Sequence, residues 1–351
     1  MRYLGTKRRN PLVIAEYFFY NRNIIIFYTK GKRMEWEAFW NTLLDKHKLR
    51  RKVEEMDQVD RVKGHTTNIK EICHCIYDDY SLWRDEWEKK KDEIWKIIEG
   101  FPGVHLHTSR IKKLESLIEK VIRKRHEWLG DDESKYANIS VDNYRDIITD
   151  LVGLRLIINY RGHWLDMHKA ILSEFPMASG GVYEKDKLLA HMEGRNIQAE
   201  LPKAFYAEGD DMKQYIDHGL IPKKHKMNYR SIHYTLSFKG VYIEIQVRTI
   251  YDEAWSDCDH NYVYKKDDNK SHAALQQMSG ILAKLTNLSN DIGEQMKEIF
   301  DAEAMIDNHK NGWNTSKEVL GQIEKAICRI SEIQEDLTAF KNKLTVEEAL
   351  Q

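Results

Sequence analysis

Apolar positions between Met34 and Gly100 recur at helical spacing. Trp36, Phe39, Trp40, Leu43 and Leu44 follow the i, i+3, i+4, i+7 rule, and Leu82, Trp83, Trp87, Ile94, Trp95 and Ile98 do the same. Gly100-Phe-Pro-Gly103 ends that stretch. The tryptophans read as helix packing. A further helix is expected from about Ser109 to Leu129, because Ile111, Leu114, Leu117, Ile118, Val121 and Ile122 gather on one side at 100° per residue. Lys112, Ser116 and Lys120, four apart, form a polar stripe on its other side. Taken alone, that stripe is a solvated face.

The pattern changes in the middle of the chain. Leu151 to Ile158 is a β-rich run with Asp150 at its entrance. Tyr229–Phe238 and Val241–Arg248 alternate with period two and are joined around Lys239-Gly240, which predicts a hairpin. In the first run Ile232, Tyr234, Leu236 and Phe238 share one face, leaving Ser231, His233 and Thr235 on the other. In the second, Val241, Ile243, Ile245 and Val247 alternate with Tyr242, Glu244, Gln246 and Arg248. One sheet face is core, and the other gathers His, Glu, Gln and Arg. Solvated strand faces usually favour Thr, Lys and Ser, so this one suggests a site. Helical pattern returns over roughly His272–Asn308 and Thr315–Leu344. In the latter, Val319, Ile323, Ile327, Ile330, Ile333, Leu337, Phe340 and Leu344 approach a heptad seam, which suits either packing on the preceding helix or association with a partner.

Composition narrows the classes. At 351 residues the chain is long enough for about two domains and for a core without disulfides or metal staples. Lys+Arg and Asp+Glu nearly cancel, 55 against 56, which argues against a polycation coating nucleic acid. With 42% hydrophobic residues and 5 Pro, the chain is not mostly disordered. No uncharged apolar run reaches the roughly 18–20 residues that span a bilayer. Cys73-His74-Cys75 is tighter than the usual zinc spacing, so its thiols read as reduced cysteines of a soluble, cytoplasmic protein. Met1–Arg33 differs from the rest, with eight Lys/Arg against Glu16 and the runs Tyr17–Tyr20 and Ile24–Tyr28. Asn21-Arg22-Asn23 breaks any signal-peptide centre. Met34, preceded by Lys-Gly-Lys-Arg that a purine-rich stretch can encode, is an alternative translation start.

Without any family in view, the middle offers the cations Arg110, Lys112, Lys120, Arg248 and Lys265 and two separated acids, Asp150 and Glu244. Tyr229 reads as an exposed aromatic inside the basic stretch Lys223–Arg230. Acids that begin or line adjacent strands suit Mg²⁺, which takes one or two carboxylates plus phosphate oxygens. Surrounding cations suit polyphosphate, and an aromatic ring can stack a base. There is no Gly-x4-Gly-Lys-Ser/Thr loop and no kinase Gly-rich loop. The residues therefore point to phosphoryl or nucleotidyl chemistry on a sheet without a P-loop.

Five segments in order carry a resemblance: Arg110-Ile-Lys112-x3-Ser116-x3-Lys120, Asp150-Leu-Val-Gly-Leu-Arg155, Tyr229-Arg-Ser-Ile-His233, Glu244-Ile-Gln246-Val-Arg248-Thr249 and Ala254-Trp255-x4-His260-x3-Tyr264-Lys265. Over roughly residues 80 to 300 they resemble the synthetase domain of the RelA/SpoT homologues, the alarmone synthetases. The resemblance implies an α+β fold, a nucleotidyltransferase-like mixed sheet flanked by helices, with helical N- and C-terminal extensions. Together with the composition and periodicity above, this divides the chain into a basic and aromatic extension (1–33), a helical N-terminal region (34–100), the synthetase domain (101–270) and a C-terminal helical region (271–351). The implied reaction moves the β,γ-pyrophosphate of ATP to the ribose 3′-hydroxyl of GDP or GTP. Arg110, Lys112, Ser116, Lys120 and Arg155 are then expected at the ATP phosphates, and Asp150 and Glu244 at Mg²⁺, with Glu244 also the candidate base. Tyr229, His233, Gln246, Arg248, His260 and Lys265 are expected on the acceptor side.

Two departures matter. The sequence contains no His-Asp dipeptide of the kind that marks the family's hydrolase domain, which predicts a synthesis-only member. The family usually places Asn-Gly before the stacking Tyr, where this chain has Met227-Asn228. A methionine cannot hydrogen-bond a base edge, so an alternative acceptor, an adenine nucleotide or the 3′ end of tRNA, belongs to a toxin-type reading. A catalytically inactive interaction module is a third reading. The C-terminal helices are the expected place for a homo-oligomer contact or an antitoxin partner.

Overall fold

The computed structural model describes residues 35–64, 68–177, 183–184, 187–188, 196–225, 228–264 and 273–308, with single helical positions at 321, 324, 328, 331 and 335. Two compact units emerge, Met1–Leu82 with Lys113–Ile147, and Trp83–Lys112 with Ile148–Gln351. No helix among the described residues is long and apolar enough to cross a membrane.

The first unit is helical. Its elements are α1 (35–46), α2 (Arg50–Lys63), the first part of α3 (Ile69–Ile98), α4 (Leu114–Glu127) and the single turn α5 (Tyr144–Ile147). Trp36, Trp40, Leu43 and Leu44 on α1 are buried, as are Leu117, Ile118, Val121 and Ile122 on α4. These are the apolar stripes that the spacing predicts. Between them polar pairs close the surface: Glu115 takes Lys46 at 2.7 Å and His47 at 2.9 Å, and Tyr144 donates to Asp79 at 2.9 Å.

The second unit is built on a mixed sheet. In chain order its strands are β1 (Val104–Ile111), β2 (Val152–Ile158), the small separate ribbon β3 (Tyr183–Glu184) and β4 (Lys187–Leu188), then β5 (Ile197–Gln198), β6 (Lys203–Tyr206), β7 (Ile221–Lys224), β8 (Ser231–Phe238) and β9 (Val241–Thr249). The main sheet runs β1-β2-β9-β8-β6-β7, with β5 also on β8. Pairing is antiparallel except for β2 with β9 and β6 with β7. The helices of this unit are α6 (Trp164–Glu174), α7 (Lys213–Asp217), α8 (Ile250–Asp259) and α9 (Ala273–Asn308). This is the α+β architecture, a mixed sheet flanked by helices, that the sequence predicts.

The β8–β9 hairpin forms where period two and Lys239-Gly240 place it. Both turn residues have positive φ, 48° and 81°, which a type I′ turn needs at its two central positions. One face of β8 and β9 is core, with Tyr234, Leu236, Phe238, Ile243 and Ile245 fully buried. Ser231 and Thr235 on the other face of β8 are also buried, so that face is covered as well.

The expected helix from Ser109 requires correction. Ser109, Arg110 and Ile111 end β1 and pair with Leu154, Gly153 and Val152, and α4 begins only at Leu114. The apolar positions Ile111, Leu114 and Leu117 mimic a helical repeat across this junction. The two-residue period of β1 is obscured because it lies at the sheet edge, where Leu106 is exposed and its partner face is polar. Lys112 therefore precedes the helix, and the stripe reduces to Ser116 and Lys120 on α4. The helix expected from His272 is α9. The run Thr315–Leu344 lies outside the described residues apart from its single helical positions, as do Met1–Arg33 and Met34.

Candidate active site

Strand register decides which side chains meet. Residues opposite one another on neighbouring strands share a face. Arg110 of β1 stands opposite Gly153 of β2, Gly153 opposite Glu244 of β9, and Glu244 opposite Thr235 of β8. One step along the same face, Thr108, Arg155, Gln246, His233 and Lys203 form a second row across five strands. Arg248 follows two residues after Gln246 and is level with Ile157. Four strands thus deliver Arg110, Arg155, Glu244, Gln246, Arg248 and His233 to one face. Gly153 adds no side chain to the first row, and Arg110 Cγ and Nε lie over it, 3.6 Å from where a Cβ would stand.

A closed ring of hydrogen bonds occupies this face. Gln246 Nε2 donates to Glu244 Oε2 at 2.6 Å, and Arg248 Nη2 donates to Gln246 Oε1 at 2.7 Å. The same Nη2 donates to the Tyr229 hydroxyl oxygen at 2.6 Å. Tyr229 OH lies 2.9 Å from His233 Nε2, and His233 Nδ1 lies 3.2 Å from Glu244 Oε1, which closes the circuit. Burial opposes charge on His233, but the Tyr229 oxygen and the Glu244 carboxylate outweigh it and raise the imidazole above its ordinary value. Burial pushes the Tyr229 phenol up, yet His233 and Arg248 outweigh that and hold it below its usual range. Each of the two groups is among the causes of the other's shift.

Glu253, on the first turn of α8, extends the ring. Arg248 Nη1 donates to Glu253 Oε2 at 2.8 Å and to Ser256 Oγ at 2.8 Å, while Arg155 pairs with Glu253 Oε1 and lies 3.7 Å from Asp257. One carboxylate therefore spans two of the site's arginines. Thr249 caps α8 by accepting from the Asp252 backbone N–H, which fixes the angle at which Glu253 meets the sheet.

Asp150 precedes β2, and its Oδ2 accepts from Lys112 Nζ at 2.9 Å. Lys112 is held there because its backbone N–H donates to Leu151 O at 2.8 Å. The resemblance implies a divalent ion at Asp150 and Glu244. Two carboxylates, one before β2 and one on its parallel neighbour β9, form the hard-oxygen set that Mg²⁺ takes alongside phosphate. Among the described residues no group of three or more His, Cys, Asp or Glu could hold a metal ion.

The expected residues therefore separate into groups. Glu244, Gln246, Arg248, His233, Tyr229 and Arg155 are brought together, Lys112 meets Asp150, and Arg110 is exposed on the same face. Ser116 and Lys120 belong to the first unit. His260 opens the π-helical turn His260–Tyr264 after α8, with its side chain exposed, outside the ring. Lys265 and Met227 lie outside the described residues. Tyr229 is not the exposed aromatic expected. It is half-buried, with Phe205, His225 and Trp255 at ring-centroid distances of 5.7, 5.2 and 6.4 Å. Its neighbour Asn228 has φ 58°, the left-handed conformation that a Gly in the usual Asn-Gly pair would supply without strain. Sequence reasoning missed Glu253 and Phe205. An acid in a helix's first turn reads as a partner for the helix dipole, and only the Arg155–Gln246 register reveals the second arginine within its reach.

Residues 109–269 match the sequence model of a family described as a region found in RelA / SpoT proteins, a narrower span than the motif resemblance suggests. Among solved structures the chain is similar to small alarmone synthetase 1 from Bacillus subtilis, with 18% identity, 63% of this chain and 99% of that chain covered, and a TM-score of 0.40. The form of that protein bound to its product pppGpp gives 16%, 61%, 92% and 0.39. A GTP pyrophosphokinase family protein from Streptococcus pneumoniae gives 17%, 65%, 96% and 0.40. No curated protein matches the chain.

Proposed function

We propose, from the match of residues 109–269 to a region found in RelA / SpoT proteins, that the chain is a synthesis-only pyrophosphokinase, moving the β,γ-pyrophosphate of ATP to the 3′-hydroxyl of GDP or GTP. The observation that supports this reading best is the shared sheet face: Arg110, Arg155, Glu244, Gln246 and His233 in two adjacent rows, with Asp150 at the mouth of β2. The acceptor's 3′-oxygen attacks the β-phosphorus, the bond from that phosphorus to the α,β-bridging oxygen breaks, and AMP departs with that oxygen. Glu244 takes the 3′-hydroxyl proton at a carboxylate oxygen, and Gln246 and His233 orient that carboxylate. Arg110 and Arg155 offset the negative charge that builds on the transferred group, a task that needs fixed cations more than covalent chemistry. Asp150 and Glu244 hold Mg²⁺, which when bound neutralises phosphate oxygens. The Tyr229 ring offers a face for the acceptor base.

A second reading rests on Met227. Without the amide that usually precedes this turn, an adenine nucleotide or a tRNA 3′ end becomes a candidate acceptor, and the exposed Lys223 and Lys224 of the edge strand β7 suit a phosphate backbone. One assay separates the readings. ATP labelled at the γ-phosphate is supplied with Mg²⁺ and, separately, GDP, GTP, no further acceptor, or deacylated tRNA, with Glu244→Ala as blank. Label on a guanosine nucleotide is expected. Label only on tRNA or an adenosine acceptor transfers the proposal to the second reading, and no transfer to any acceptor overturns both.

A further inference from the structure

The two arginines that share Glu253 are held in unlike ways. Arg248 is buried and tied on every side of its guanidinium. Its Nε donates to Ser231 Oγ at 3.3 Å, Nη1 to Ser256 Oγ as well as to Glu253, and Nη2 to Gln246 Oε1 and the Tyr229 hydroxyl. If Glu253 lost its charge, four acceptors would still hold this side chain. Arg155 is partly exposed and meets carboxylates instead, Glu253 through Nη1 and, at 3.7 Å, the exposed Asp257. An exposed pair such as the latter contributes little.

Glu253 itself has one fixed oxygen and one shared one. Arg248 Nη1 holds Oε2 at 2.8 Å from within the buried ring, which keeps Oε1 beside Arg155 whether or not that arginine stays. A guanidinium offers the same N–H groups to carboxylate and to phosphate. Arg155 lies in the second row of the sheet face, level with Gln246 and Thr108, where the proposed reaction places the donor's phosphates. A phosphate that reaches it meets a cation already shared with an anchored anion.

We propose that Glu253 is a positioning residue whose carboxylate competes with the donor's polyphosphate for Arg155. Glu253 aims the arginine and neutralises it, and the phosphate takes it over by exchange of one anionic partner for another, with no bond or proton transferred. The proposal rests on the donor reading above and adds a role to it. Competition weakens the hold on bound ATP, whereas the larger charge that builds on the transferred group draws Arg155 more strongly. Stabilisation is thereby reserved for the transition state, where it accelerates the reaction. A Glu253 that merely braced Arg155 would have the opposite effect, since its loss would slacken the arginine and weaken phosphate binding.

The sign of one binding change decides between these roles. Calorimetric titration with inorganic tripolyphosphate at constant Mg²⁺, below the unfolding range of each variant, should show Glu253→Gln binding about threefold to tenfold more tightly than the wild type. In an Arg155→Met background the same substitution should change the Kd less than about twofold. In the labelled transfer assay the ATP KM of Glu253→Gln should fall together with kcat, whereas a variant that only folds poorly loses apparent kcat at constant KM. The unaltered chain gives a measurement free of any folding defect: in NMR spectra of the arginine side chains, the Arg155 Nε–H signal should move on addition of tripolyphosphate. Binding that is unchanged or weaker in Glu253→Gln, or an Arg155 signal that ignores tripolyphosphate, overturns the exchange even if the wild type transfers label to a guanosine nucleotide. Tighter binding in a protein that transfers no label supports the exchange and overturns only the proposed reaction.

Discussion

Arg248 donates to the Tyr229 hydroxyl at 2.6 Å while its guanidinium carbon stands 4.9 Å from the centre of the same ring. One cation thus holds both the polar tip and the π-system of the residue proposed to stack the acceptor. Tyr229→Phe keeps the ring and removes the anchor, so the acceptor KM should change less than about tenfold. Tyr229→Ala removes a stacking surface worth about 1–3 kcal/mol and should raise that KM by roughly 10- to 100-fold. Acceptor titrations at saturating ATP distinguish the two. In the Phe variant the His233 imidazole, followed by NMR, should titrate lower than in the wild type, because one of the two groups that raise it has gone.

Glu253 binds two arginines of unequal burial. The Arg248 side chain is 4% exposed and that of Arg155 is 27% exposed. Removing the shared carboxylate leaves a deeply buried guanidinium short of its partner, a loss of about 3–5 kcal/mol when one member of a buried pair is deleted. Glu253→Gln should therefore lower the Tm clearly, and Arg248→Met should cost more stability than Arg155→Met. Glu253→Asp, which keeps the charge, should recover part of the stability and of kcat. Equal Tm values for the two arginine variants would contradict this ordering.

Asn228 holds a left-handed backbone beside the ring. Asn228→Gly should leave the urea midpoint nearly unchanged. Asn228→Val, with a β-branched side chain at φ 58°, should lower stability by about 1–2 kcal/mol without altering the m-value. Met227→Asn restores the usual amide. If that position reads the base, the variant should shift acceptor preference toward guanosine nucleotides at constant stability.

His168 supplies a pH prediction away from the chemistry. It lies on α6 against the core face of β8, and its Nδ1 is 3.0 Å from the Tyr234 hydroxyl, which also accepts from Trp164 Nε1. Burial, with His218 adding to it, pushes the imidazole down to about 4. The unfolded chain binds a proton near pH 6.5 and the folded chain only near 4. The contribution is thus whole above pH 6.5 and is lost as pH falls between these values, about 3 kcal/mol in all. Chemical denaturation from pH 7 to pH 4 should show this slope, and His168→Asn should flatten it.

The hairpin was legible because period two survives in it without interruption and Lys239-Gly240 accepts two positive φ angles. Asp150 was legible for a similar reason, since a polar residue before Leu151–Ile158 can only mark the strand's entrance. What the sequence hid depends on distant register. The parallel pairing of β2 with β9 sets Gly153 beside Glu244 and Arg155 beside Gln246, and no local periodicity encodes a partner about ninety residues away. The ring from Glu244 to Tyr229 was hidden too. Alternation assigned its members to a face but could not show that Tyr229, just outside β8, turns back to join His233 and Arg248. At β1 two periodicities overlap, and the longer one misled.

That same parallel pairing sets an order of events during synthesis. Arg110, Asp150, Gly153 and Arg155 leave the ribosome long before Glu244, and β9 can dock beside β2 only after residues 159–240 have crossed over. A nascent chain stalled before Val241 holds Asp150 but lacks Glu244, Gln246 and Arg248, so each row is missing the β9 member that joins β2 to β8. Closing so long a loop is slow relative to forming the hairpin. The two rows are thereby completed only once β9 has emerged.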